Sequence, residues 1–509
     1  MRFTQCCLPR RVLAAAARLG VTLLLVAGLA AAWSGAASGR VAVGPGAAAS
    51  RAAASSAVPP GAPRPNFDVS ARPGNEAENT IAANPLDPLN VAAMTCPVGR
   101  KNLAGLFLGV SFDGGLTWTR RLFATGAQVG HTCDERLAWD RYGNLWMSHL
   151  EANGHVFVGL STDGGVRFRK AADIVPTAPR AGTAPVAHPA TRALSGRPDR
   201  FSSHVGDRPS VSVGPRSVWV DYTNVLTGAV QAAGAKVTGR GRFGSFSPPE
   251  SVPTRQGHGD FGGLAVGPHG QALVIYENIA GPRRSRIYTA LDPDGLGPRG
   301  FGRPRLLART RVNALDFIPA QPDRGISTNA GLAWDTGGGR SHGRVYAVWT
   351  QAAQQNRDNL NVMFQHSDNN GRTWTKAVPL DDSRTIHSQF LPAIAVDQAT
   401  GDIAAGWYDC RNAHGHGGHG CARPDTYTQF WASYSTDGGR TFAPGFQVSQ
   451  GTSNAKDTHS FFDYGDYTQV ALQSHLFYPA WSDNSDSTGT NPDGKLHQVD
   501  LYTTLVPIP

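Results

Sequence analysis

A chain of 509 residues with 60 Gly, 35 Pro and 11 Trp can bury a sizeable core, and its turn-rich, Trp-rich balance points to an all-β fold of many short strands. The net charge of +9 favours anionic partners such as acidic glycans, although signal and linker arginines supply part of it. No nucleic-acid motif, clustered basic helix, P-loop, G-x-S-x-G or zinc motif is present, which excludes the classes that depend on them.

The N-terminus reads as a secretory signal peptide over residues 1–38. Arg2, Arg10, Arg11 and Arg18 form a basic region, 21–33 is an apolar run, and small residues follow at 34–37. The run is too short to span a membrane. Arg10–Arg11 followed by Val12–Leu13 is a partial twin-arginine match, and a retained N-terminal anchor is the alternative. Residues 39–65 are Ala, Ser, Pro and Gly with scattered Arg, a disordered linker with nothing to bury. The expectation is a secreted or cell-surface monomer with no membrane span once the signal is removed.

Cys6 and Cys7 leave with the signal, and the other four cysteines are free to form disulfides in an exported chain. Cys410 and Cys421 flank a Gly/His loop that they would staple, which leaves Cys96 and Cys133 to join neighbouring repeats. Within that loop His414, His416 and His419 are competent metal ligands, but a closed surface loop is the preferred reading and no metal site is assigned.

The rest of the chain is repetitive. The octet S-F-D-G-G-L-T-W at 111–118 recurs as S-T-D-G-G-V-R-F at 161–168, S-D-N-N-G-R-T-W at 367–374 and S-T-D-G-G-R-T-F at 435–442. The Asp (or Asn) accepts backbone N–H groups inside a hairpin turn, Gly supplies positive φ, and the aromatic returns to the sheet. Upstream of each lies an apolar strand, a turn, and a second strand ending in an aromatic. Seven such pairs occur, with first strands centred near Ile81, Leu137, Val211, Leu264, Leu332, Ile394 and Val470. Their spacing suits four-stranded blades with unequal loops. Asp294–Gly295 and the 243–246 region are candidate remnants of two decayed octets. Residues 66–70 could supply a missing outer strand to the last repeat and close the ring. The prediction is one β-propeller over 66–509 with seven blades, six being the alternative.

In a propeller the residues just before the first strands converge beside the central channel. Here they are Glu76 and Glu78; Asp134, Glu135 and Arg136; Asp207 and Arg208; His258 and Asp260; Asp323 and Arg324; His387 and Gln389; and Asp463, Asp466 and Tyr467. So many ionisable groups make this face the candidate site. Three guanidinium forks in one register could clamp a carboxylate, or each Asp–Arg pair could be an ion pair within its own blade. Asp463 and Asp466 could hold Ca²⁺, although no cofactor is required.

The octets resemble the Asp-box (bacterial neuraminidase) repeat, and residues 66–506 resemble the sialidase superfamily of β-propellers. The resemblance implies an exported glycoside hydrolase releasing a terminal sialic acid or similar acidic sugar. It implies substrate-binding arginines at Arg136, Arg208 and Arg324, beside Asp207, Asp323 and Asp466. Tyr467 would be the nucleophile, Asp260 the acid/base, and Glu135 or Glu277 the base partner of the tyrosine. A neutral phenol approaches an anionic sugar more readily than a carboxylate does. The family's F/Y-R-I-P arginine has no counterpart at 76–79, which reads E-A-E-N. A non-catalytic glycan- or protein-binding propeller is therefore the alternative, and cleavage of another polyanionic saccharide a third reading.

Overall fold

The computed structural model describes residues 61–98, 105–123, 133–151, 153–176, 206–254, 259–278, 285–312, 316–353, 359–415, 424–458 and 460–509. The expected signal peptide, the expected linker as far as residue 60, His258, His416, His419 and Cys421 lie outside them, and so does the expected Cys410–Cys421 staple.

The chain forms a seven-bladed β-propeller. The inner strands are Asn75–Asn84, Arg136–Trp139, Gly206–Val213, Asp260–Val266, Gly331–Trp334, Gln389–Val396 and Val470–Gln473, one for each repeat expected from the sequence. Each leads into an antiparallel second strand, by a tight turn except in blade 5, where residues 335–344 intervene; the remaining strands follow outward in chain order except in blade 7, whose outermost strand is the first of the chain. The inner strands pack on one another in sequence, and Val470–Gln473 packs back on Asn75–Asn84. Apart from one 3-10 turn at Ala455–Thr458, the described residues are strands, turns and loops.

Second strands are clamped between neighbouring blades, which explains their composition. Ser217–Asn224, Ala272–Asn278 and Ile403–Asp409 are buried from end to end and read as apolar runs rather than as alternating strands. Ring pairs close most of the seams between blades. Phe123 meets Phe168 between blades 1 and 2, Trp146 meets Phe243 between blades 2 and 3, and Trp219 meets Phe301 between blades 3 and 4. Phe364–Phe442 and Phe430–Trp481 do the same between blades 5 and 6 and blades 6 and 7.

Ring closure follows the expectation. Phe67–Asp68 pairs with Tyr502 and Thr503 as the outermost strand of blade 7. Just before it, Gly61 N–H donates to Pro507 O (2.7 Å) and Arg64 N–H to Leu505 O (2.9 Å). Both termini of the propeller thus lie beside the start of the second strand of blade 7, because Pro507 itself pairs with Leu476. The Cys96–Cys133 disulfide also forms, with Cα atoms 5.3 Å apart, and ties blade 1 to the start of blade 2. Cys410 is buried.

Strand alternation gives the disc two faces. The starts of the inner strands define the upper face; the turns between first and second strands, and between third and fourth strands, define the lower. All four octets are third-to-fourth-strand turns and so lie below. In the last, Asp437 accepts hydrogen bonds from Thr441 N–H (3.0 Å), Thr441 Oγ1 (2.6 Å), Arg440 N–H (2.9 Å) and Ser435 Oγ (2.8 Å). Its slight burial is outweighed by these bonds, which hold the carboxyl down at about 2. Asp292 plays a similar part in blade 4, accepting Gly295 N–H at 2.9 Å, so that turn keeps the chemistry of the octet in altered form.

Replacing Asp437 with Ala strips the turn of its acceptor and should lower unfolding free energy by about 1–3 kcal/mol in a denaturant titration. An unchanged midpoint would show that the turn closes without its carboxylate.

Candidate functional site

The inner strands do not enter the upper face straight. In blade 3, Arg208 and Pro209 together stand opposite Tyr222, a two-against-one bulge between the pairs Asp207↔Thr223 and Ser210↔Asp221. The same insertion recurs at Glu78–Asn79 in blade 1, at 261–262 in blade 4 and at Leu391–Pro392 in blade 6. Asp134–Glu135 and Asn329–Ala330 occupy the corresponding place in blades 2 and 5, above Arg136↔Ser148 and Gly331↔Val348. A bulge re-aims the side chain at its apex. Glu78 (φ 64°), Asp134 (58°), Arg208 (49°), Asn329 (44°) and Leu391 (52°) all adopt left-handed backbone there. Each costs about 1–3 kcal/mol for a residue that is not glycine, and such strain collects where function requires a fixed aim.

Three of these residues, Glu78, Arg208 and Asn329, meet at the loop Gly465–Tyr467, which opens blade 7. Asp466 is its hub. Its N–H donates to Glu78 Oε1 (3.2 Å), and its carbonyl accepts Arg208 Nη2 (3.3 Å) and the Asn329 amide. Its carboxylate takes Arg324 through Nε (2.8 Å) and Nη2. Glu78 Oε1 stands 3.8 Å from the same guanidinium. Gly465 (φ +85°) must be glycine, because a Cβ would lie 2.4 Å from Glu78 Cγ and 2.8 Å from its backbone N.

Tyr467 then projects its ring between two cations. The Arg136 guanidinium carbon lies 3.6 Å from the ring centroid and that of Arg208 5.5 Å. The three arginines therefore do converge, as their register suggests, but by different routes. Arg136 and Arg208 come from the starts of inner strands. Arg324 does not: it belongs to a two-stranded hairpin, Asp316–Ile318 with Gln321–Ile326, inserted ahead of blade 5. The hairpin is held down by Gln321 Nε2 donating to Gly465 O (2.9 Å), and by Asp323 and Arg324 N–H donating to Asp463 Oδ2 (2.9 and 2.8 Å). Arg324 thus pairs across the ring with Asp466 and Glu78. The two acids offered for Ca²⁺ are engaged accordingly, Asp466 by a guanidinium and Asp463 by two amides.

The electrostatics of the cluster are those of burial. Burial pushes Glu78 up to about 8, and Asp134 and Asp466 add to the shift against Arg324 and Arg208. Asp134, beside Asp207, is raised to about 6 and Asp463 to about 7, burial again leading. Glu135 goes well above the ordinary carboxylate range. Its two oxygens accept no hydrogen bond from another described residue, and one lies within 4.8 Å of both sulfurs of the Cys96–Cys133 bridge. Tyr467 is also raised, by burial first and then by Glu78, Glu135 and Asp134, and its hydroxyl likewise lacks a partner. Burial opposes the Arg324 cation, yet Asp466 and Glu78 more than reverse this and hold it above its usual range.

Asp260 and Glu277 form a separate pair in blade 4, opposite one another in register. Asp260 accepts Thr223 Oγ1 (3.0 Å), while Glu277 accepts Thr328 N–H (3.2 Å) and Oγ1 (2.9 Å). Burial raises Glu277 to about 7. The charges acting most strongly on Tyr467 come from blades 1 and 2 instead. Asp207 is half-buried and Asp323 exposed. Glu78 is the residue that sequence reasoning undervalued. Its signal was present: E-N-T-I at 78–81 aligns with D-E-R-L at 134–137, R-P-S-V at 208–211 and Y-T-Q-V at 467–470.

A polar plug closes the floor. Thr80 Oγ1 bonds Gln469 and accepts Leu137 N–H (3.0 Å), and Gln469 Nε2 donates to Leu137 O (3.1 Å). Below it the central channel is a cavity of about 450 Å³. Six alanines and one serine line it at the same register: Ala82, Ala138, Ser212, Ala265, Ala333, Ala395 and Ala471.

No protein-family model matches the sequence, and no curated protein matches it. Among solved structures the chain is similar to a protein of unknown function from Dyadobacter fermentans, at 11% identity and a TM-score of 0.45, over 87% of this chain and 98% of that one. It is similar to the alpha-L-arabinanase of Penicillium chrysogenum complexed with arabinobiose (12%, 0.42; 69% and 94% covered). It is also similar to the Hadza microbial sialidase Hz136 (13%, 0.41; 82% and 73% covered). These likenesses say nothing about activity; the side chains must.

The buried acids make a pH prediction. Their folded-state pKa values lie above the ordinary 3.8–4.5, so between about pH 5 and 8 the folded state holds protons that the unfolded chain has lost. Stability should therefore fall as pH rises through that window, seen as a declining Tm. Glu78→Gln, which fixes the neutral form, should flatten the decline. A Tm that climbs from pH 5 to pH 8 would contradict these assignments.

Proposed function

We propose that the upper cluster is the active site of a glycoside hydrolase acting on a terminal acidic sugar such as sialic acid. The observation that carries this reading is the meeting of Arg136 and Arg208 at the ring of Tyr467, with Arg324 held on the adjacent Asp466, while the Tyr467 hydroxyl and the Glu135 carboxyl are buried and take no hydrogen bond from another described residue. Arg136 and Arg208 receive the sugar carboxylate, and Arg324 joins them when that carboxylate replaces Asp466 as its partner. Glu135 takes the phenolic proton from its carboxylate form, which burial makes a strong base, as the Tyr467 oxygen attacks the anomeric carbon. Glu78, protonated at neutral pH, supplies the proton that the leaving oxygen requires; Asp260, the acid/base expected from the sequence, lies on blade 4 and is bonded by Thr223 of blade 3. Water then cleaves the tyrosyl–glycosyl bond with net retention.

One observation favours a second reading, a glycan-binding propeller without turnover. Arg324 already has a full complement of acidic partners in Asp466 and Glu78.

Release of fluorophore from a sialoside by the mature chain separates the two. Under the hydrolase reading Tyr467→Phe should fold normally and lose turnover by about 10³-fold or more, while Arg208→Ala chiefly raises KM. An active Tyr467→Phe removes the nucleophile, and a folded wild type that binds acidic glycan without turnover supports the second reading.

A further inference from the structure

The seam between blades 4 and 5 differs from its neighbours. Among the described residues no ring pair bridges it; instead it holds a cavity of about 220 Å³ on the lower rim. The floor is apolar, formed by Leu273 and Leu291 with Thr289 beside them. Three arginines stand at the opening: Arg303 and Arg305 lead into and begin the outer strand of blade 4, and Arg372 belongs to the octet turn of blade 5. All three are exposed, and among the described residues none has a carboxylate within ion-pair distance. Elsewhere on the propeller arginines are commonly answered: Arg299 by Asp294, Arg344 by Asp368, Arg411 by Asp382 and Asp409. Three unanswered forks around a dry-floored hollow are the arrangement that an oxyanion on a ring of C–H groups would fill.

We propose that this crevice is a second binding site, for a sugar residue bearing a sulfate or carboxylate within a polyanionic saccharide. The guanidinium groups take the oxyanion and the leucine floor takes the apolar face of the ring. The cavity is smaller than the ~300–1,000 Å³ that encloses a whole drug-sized ligand, so it accepts one charged residue of a chain and leaves the rest in solvent. The site is independent of the upper cluster: it lies on the opposite face and shares no residue with it.

The test is calorimetric titration of the full mature chain with a sulfated glycosaminoglycan tetrasaccharide, an oligogalacturonate of the same length and a neutral cello-oligosaccharide. At least one of the two anionic ligands should bind and the neutral one should not; which of the two binds identifies the oxyanion. The variant Arg303→Ala/Arg305→Ala/Arg372→Ala should weaken that binding at least tenfold. A charge-matched control on blades 2 and 3, Arg167→Ala/Lys236→Ala/Arg242→Ala, should weaken it less than threefold. Thr289→Trp keeps every charge but fills the hollow, and should abolish binding, with an unchanged Tm showing that the fold survives. The proposal is overturned if neither anionic ligand binds, if the control loses as much affinity as the arginine variant, or if Thr289→Trp binds like wild type. Turnover is not read, so failure here leaves the upper-face assignment untouched.

Discussion

The upper face depends on one backbone constraint, the extra residue inserted where the inner strands of blades 1 to 6 begin. A regular strand would keep the same alternation of side chains along its whole length. Placing two residues opposite one breaks that alternation once, at the height where it matters. Five left-handed residues that are not glycine bear the cost. What holds them there is mutual. Glu78, Arg208 and Asn329 from three blades all bond to the Asp466 peptide, and Arg324 closes the group from above. No one of these contacts is strong alone, but together they over-determine the loop that carries Tyr467.

The disulfide belongs to the same device. Joining Cys96 to Cys133 fixes the approach of the segment that carries Asp134, Glu135 and Arg136. It also places sulfur, a poor hydrogen-bond partner, against the Glu135 carboxyl. Such surroundings favour the neutral acid and make its conjugate carboxylate a strong base. The polar plug of Thr80 and Gln469 below separates this chemistry from the alanine-lined channel.

Much of the architecture was legible because blades repeat a local code. An apolar strand, a turn and a strand ending in an aromatic can be counted without knowing how blades pack, and so can the closing strand near Phe67. The bulges were not legible. Positive φ is announced in a sequence by Gly or Asn, and here it falls on Glu78, Asp134, Arg208 and Leu391, where long-range bonding overrides preference. The hairpin at Asp316–Ile326 was hidden for a related reason. F-I-P-A-Q-P-D-R-G-I has no alternating pattern: Ile318, Ala320 and Ile326 are buried in the core, and the polar tip between them is held by Gly465 and Asp463. Arg324 therefore shares a sequence register with Arg136 and Arg208 but reaches the cluster from this hairpin rather than from an inner strand, while Glu78 was overshadowed because an acid before a strand looks like a solvated turn. The ring of small residues along the channel was visible as alanine at one register in six blades, a pattern that emerges only once the strands are aligned.

The last consequence concerns polarity in space. The chain joins the propeller at Gly61, bonded to Pro507 at the lower rim, and climbs blade 7 before it reaches the first inner strand. The strand that closes the ring lies antiparallel beside Tyr502 and Thr503, so a pull along it from Gly61 would load its hydrogen bonds together, in shear, rather than one at a time.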